Sequence, residues 1–159
     1  MKCTATPPPT PRLAPPRRLI TATPDHAGII VGHNLGYVRH VRRWIGQSAH
    51  VVESLKQDLR TAASELVTNS LVYTRSGLPG GETTVELLYS PHSITLRVTD
   101  QGPLNPDKPT HPRIRETDHS LPGGRGLRLV DGLAEYWEWD TTPSNGVSVY
   151  AVFARSSFS

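Results

Sequence analysis

Glu65 and Asn69 stand four residues apart in a segment whose apolar positions recur at helical spacing. At roughly 100° per residue they lie one above the other, along the edge of the apolar stripe and not opposite it. A carboxylate in a cleft can orient or deprotonate a nucleophile, and an amide oxygen beside it suits Mg²⁺, which prefers oxygen ligands. Taken alone, such a pair also fits a solvated helix rim. Asp100 adds a second element. Ile94, Leu96 and Val98 share its parity, so its carboxylate falls on the core face at the end of a strand. A buried carboxylate must find donors. Gly102 permits a sharp turn and a close ligand approach, and an adenine amino group would satisfy both partners. The plainer alternative is an aspartate that caps its own turn.

The third element is a glycine run, Gly123, Gly124 and Gly126, which opens a short helix at Leu127. Backbone amides at a helix start attract phosphate, and glycine removes side-chain obstruction. The usual catalytic signatures are missing: the chain has no G-x-x-x-x-G-K-[ST] loop, no G-x-S-x-G elbow and no H-E-x-x-H pair. Its seven histidines are scattered, with no short spacing to acidic neighbours that would argue for a metal site.

Positioning these groups requires a specific order of elements. Short apolar runs at Leu19 to Thr21 and Ile29 to Val31 read as strands. Asn34 can cap a helix over Leu35 to Ile45, whose Arg39, Arg42 and Arg43 stay outside the apolar stripe. The strongest periodicity predicts a helix from Val51 to about Thr74, stopped by Gly77, Pro79, Gly80 and Gly81. Thr83 to Tyr89 and Ile94 to Thr99 alternate and form a hairpin. Residues 103–122 hold five prolines and little periodicity, and a stretch of that length fits a lid that orders over ligand. The Leu127 to Leu133 helix and a last hairpin, Tyr136 to Trp139 with Val147 to Phe153, complete the chain. The fold class is α+β: a two-layer α/β sandwich with helices on one face of a mixed, mostly antiparallel sheet.

At 159 residues the chain fits one domain, and its single cysteine, Cys3, permits no disulfide framework. Residues 1–16 carry six of the 15 prolines and read as a disordered leader, either dispensable or partner-binding, ahead of one domain over 17–159. No signal h-region or membrane span is visible, so a cytoplasmic location without a membrane is expected. Lys+Arg 17 against Asp+Glu 14 gives only +3, which permits nucleic-acid binding without arguing for it. A binder using Arg39, Arg42 and Arg43 stays open as a weaker alternative that lacks a recognition helix or stacking motif, and no direct nucleic-acid partner is expected.

Three stretches together resemble the histidine kinase-like ATPase superfamily, and within it the anti-sigma factor serine kinases. SELVTNSLVYTRSG (64–77) is similar to the N-box helix. RVTDQG (97–102) is similar to the first glycine box, and GGRGLRLVDGLAEYWEWD (123–140) to the second and its following strand. The closing NGVSVYAVF fits the same pattern. The resemblance implies ATP and Mg²⁺ as cofactors, Glu65 as general base, Asn69 as Mg²⁺ ligand and Asp100 with Gly102 as the adenine turn. It further implies phosphate contacts at Gly124, Gly126 and Leu127, and an adenine-supporting hydroxyl at Ser148.

Such proteins phosphorylate a serine on an anti-anti-sigma partner and sequester a sigma factor. The same resemblance leaves a homodimer open, and a nucleotide-binding switch without catalysis is the alternative function. The chain departs from the pattern in two places: Pro103, Leu104 and Asn105 replace the usual second glycine, and Tyr73 stands where histidine is common.

Overall fold

A computed structural model describes residues 5–8, 12–108, 112 and 126–155. Six strands form one sheet: β1 (Arg17–Arg18), β2 (His26–Gly32), β3 (Glu82–Tyr89), β4 (Ser93–Thr99), β5 (Tyr136–Thr141) and β6 (Val147–Ala154). Their order is β1-β2-β3-β4-β6-β5, and every pairing among the described strands is antiparallel, so the expected mixed sheet carries no parallel pair there. Three helices, α1 (Tyr37–Ser48), α2 (Glu53–Tyr73) and α3 (Gly126–Leu133), make the second layer of the α+β sandwich.

Each helix buries the face that its periodicity marks. In α1, Tyr37, Val41 and Ile45 recur every four residues and are buried, while Arg39 and Arg43 face solvent. Asn34 does not cap this helix as expected: the helix begins at Tyr37 and not at Leu35, its N-cap is Gly36 with no side-chain bond, and Asn34 Oδ1 accepts the Gly36 amide at 2.8 Å in a local turn ahead of it. In α2, Leu59, Ala62, Leu66 and Val67 are buried against the sheet, and each fully buried leucine contributes roughly 1.5–3 kcal/mol. Across from them lie Ile29, Val31, Val85, Leu87, Ile94, Leu96 and Val98, the inward members of three alternating strands.

The stop after α2 is steric as well as conformational. Thr74 is extended and accepts the Ser76 amide through its hydroxyl, and a 3-10 turn follows at Arg75–Gly77. A Cβ at Gly77 would come within 1.7 Å of the Leu71 carbonyl oxygen, so only glycine lets the chain fold back there.

Two expectations need correction. Leu19 to Thr21 is not a strand: pairing occurs at Arg17 and Arg18, opposite Ile30 and Ile29, and Ile20 is 99% exposed. Apolar content alone suggested the strand, but Leu19 instead covers the space beside Gly28, where a Cβ would lie 2.9 Å from its Cδ2. Contacts also reach into residues 1–16, the expected leader. Leu13 packs against the core, and the Ala14 carbonyl accepts the Tyr37 hydroxyl at 2.7 Å.

Candidate functional site

Glu65 and Asn69 lie one turn apart on the part-buried flank of α2, as their spacing requires. Asn69 Oδ1 is buried and has no hydrogen-bond partner among the described residues. A buried oxygen left unpaired costs on the order of 1–3 kcal/mol, so a donor or cation reaching it would be favoured. Burial also pushes the Glu65 carboxyl above its ordinary value, the direction that suits a proton acceptor working near neutral pH.

Asp100 follows β4 directly and keeps the parity of Val98, which turns it toward the helix layer. Its Oδ1 accepts the Gly102 amide at 2.8 Å and the Val147 amide at 3.2 Å. Desolvation raises its pKa, and those two amides only partly offset the rise. The turn is tightly enclosed. Gly102 has φ 103°, and a Cβ there would lie 2.6 Å from the Asn145 carbonyl oxygen; one on Gly146 would lie 2.1 Å from that of Asp100. Asp100 therefore does cap its own turn, with one oxygen, and its other oxygen has no hydrogen bond among the described residues.

The two parts are joined through the backbone. Thr74 bridges Pro103, and the Arg75 amide donates to the Gly102 carbonyl at 2.9 Å. These bonds hold the C-terminal end of α2, one turn beyond Asn69, beside the Asp100 turn. α3 packs against α2 on the same layer. It begins at Gly126, and Leu127 sends its side chain into the core, so what this end offers a ligand is backbone amide. Gly124, and the expected lid apart from residues 103–108 and 112, lie outside the described residues.

Ser148 does not share the sheet face of Asp100. It pairs with Thr99 across β4 and β6 and bonds the Thr99 hydroxyl at 2.7 Å, on the opposite face of the sheet from Asp100. Val147, one residue earlier, pairs with Asp100, so strand alternation puts Ser148 on the other face. Ser148 instead lines a shallow groove of about 400 Å³ on the open face, with Thr84, Glu86, Arg97, Thr99 and Tyr150.

Two groups escaped the sequence reading. On the open face, Arg97 grips Glu86 with Nε at 2.6 Å and Nη2 at 2.5 Å, and His26 adds a contact at 2.8 Å. Burial lifts the Glu86 pKa, but Arg97 and His26 outweigh it and hold the carboxylate below its ordinary range. The hairpin turn after Tyr89 sets Glu86 opposite Arg97, so this pair could have been found from register. Ser76, wholly buried, accepts the Gln101 amide at 3.0 Å, and nothing in the sequence marks it beyond a serine before a glycine.

The model of the histidine kinase-like ATPase domain matches residues 33–153, and the chain belongs to that family. No curated protein shows a significant match. Membership makes the chain an ATP-binding protein, and the site fits the ligand: Asn69 Oδ1 has the unmet valence a hard cation fills, and Asp100 has an oxygen to spare for an amino group. No helix among the described residues is long and apolar enough to cross a membrane.

Proposed function

We propose that the chain is an anti-sigma factor with protein serine kinase activity, which phosphorylates an anti-anti-sigma partner and sequesters a sigma factor. The carrying observation is the pairing on α2 of Glu65, whose proton affinity is raised by burial, with the orphaned oxygen of Asn69. Bound ATP supplies the transferable phosphoryl group. In this reading Asp100 selects the adenine, Asn69 holds Mg²⁺, and Glu65 accepts the proton of the attacking serine hydroxyl. The α2 flank keeps Glu65 partly out of water, so its affinity for that proton is not lost to solvation.

A second reading, an ATP-dependent binding switch without phosphoryl transfer, has one observation in its favour. Pro103 stands where the family has more flexible sequence, and its bridge to Thr74 fixes the exit of the adenine turn. One measurement separates the two. Partners are captured from native extract and identified, and labelled-phosphate transfer from ATP is followed beside ATP binding. Glu65→Ala should keep ATP affinity and lose transfer by about 10²- to 10⁴-fold. A parent protein that binds Mg²⁺, ATP and its partner yet transfers no phosphate leaves the switch as the function.

A further inference from the structure

A relay of short polar side chains runs from α2 to the Asp100 turn. The Thr74 hydroxyl donates to the Ser70 carbonyl at 2.6 Å and accepts the Ser76 amide at 3.1 Å. Ser76 Oγ then accepts the amide of Gln101, the residue between Asp100 and Gly102, at 3.0 Å. The Gln101 side chain is tied down as well, with Oε1 accepting the Glu82 amide at 3.1 Å. The relay starts one residue after Asn69 and ends one residue after Asp100, so it ties the two candidate segments to each other.

Ser76 is the link with no substitute. It is 0% exposed, and its own backbone is crowded: a Cβ at Gly81 would come within 2.3 Å of the Ser76 carbonyl oxygen. No water route replaces its hydroxyl at a wholly buried position, so losing Oγ leaves the Gln101 amide without an acceptor. The peptide between Asp100 and Gln101 then loses its anchor on the α2 side, and the carboxylate is held by the Gly102 and Val147 amides alone.

We propose that Ser76 is a positioning residue for adenine selectivity: through the Gln101 amide it holds the Asp100 carboxylate where an exocyclic amino group can donate to it. The proposal rests on the reading of Asp100 as the adenine acceptor. Ser76 touches no ligand. It sets the fraction of molecules in which Asp100 is already in place, and nucleotide affinity scales with that fraction. The effect falls on ligands that donate to Asp100, such as ATP, and spares GTP, whose base presents a carbonyl at the equivalent position.

The test measures dissociation constants for ATP and GTP by competition against a fluorescent ATP analogue, on the full chain and its Ser76→Ala variant, well below the melting temperature. ATP affinity should fall about tenfold in the variant with GTP affinity unchanged, so that the preference for ATP narrows about tenfold. An unchanged preference overturns the proposal, and so does an equal loss for both nucleotides, which is the mark of a purely structural role. If Ser76→Ala does not fold by circular dichroism, Ser76→Cys keeps the shape with a weaker acceptor. It should narrow the preference by a smaller factor, and the parent's ratio in that variant overturns the proposal. A parent that binds ATP and GTP alike removes the adenine reading of Asp100, and the role of Ser76 with it, whereas a parent that prefers ATP beside an unaltered variant removes only the role of Ser76.

Discussion

Asp100 carries a measurable signature of its site before any ligand is added. Its folded-state pKa is raised by burial above the ordinary 3.8, so the stability it contributes is full below that value and is lost as pH rises through the raised one. Asp100→Asn keeps an oxygen for the Gly102 and Val147 amides and carries no charge. Between about pH 4 and pH 7 the variant should therefore gain stability relative to the parent in urea unfolding, while losing ATP binding in calorimetry. Parallel pH profiles would count against a strained carboxylate. Asn69 gives the complementary case: its oxygen is already unpaired, and alanine is the better helix former. Asn69→Ala should not lower the stability of the nucleotide-free protein, yet should abolish the Mg²⁺-dependent part of ATP affinity. A variant as metal-dependent as the parent removes Asn69 from the metal site.

At the scale of elements, two glycines make opposite predictions. Gly77→Ala forces a Cβ against the Leu71 carbonyl and should destabilise the fold by several kcal/mol or prevent folding. Gly132 lies inside α3, where a Cβ would meet nothing within 4 Å, and Gly132→Ala should raise stability by about 0.5–1 kcal/mol. Denaturant titration of both variants checks the turn and the helix together. Helix faces and the two hairpins were legible because periods of 3.6 and 2 are local properties of the chain. Asp100 was legible for the same reason, its parity being set by its own strand. Ser148 was not placed by that reasoning, because the resemblance supplied its role and only the β4–β6 register shows which face it takes. Ser76 was illegible altogether: its importance lies in meeting Gln101, 25 residues on, and no local pattern encodes that meeting.

For the whole molecule, ATP binding is linked to stability. A ligand that binds only the folded state at a hundredfold excess over its dissociation constant adds about 2.7 kcal/mol, and for a chain of this size that raises the melting temperature by roughly 5–10 °C. Differential scanning fluorimetry with ATP and Mg²⁺ should show this rise, and its absence in Asp100→Asn identifies the site responsible. The strand order has a further consequence, for synthesis. β6 lies between β4 and β5, so the β5–β6 hairpin inserts beside β4 after everything through Thr99 has been made. Glu65, Asn69 and Asp100 all leave the ribosome early, but the Val147 amide that holds Asp100 and the glycine that closes over it arrive late. A nascent chain stalled before Tyr136 carries all three side chains with β4 as a bare edge and the carboxylate without its Val147 amide. Nucleotide capture by stalled nascent chains should therefore begin only once β6 has emerged, and capture by chains stalled before Tyr136 would count against the Val147 amide as a support of the site.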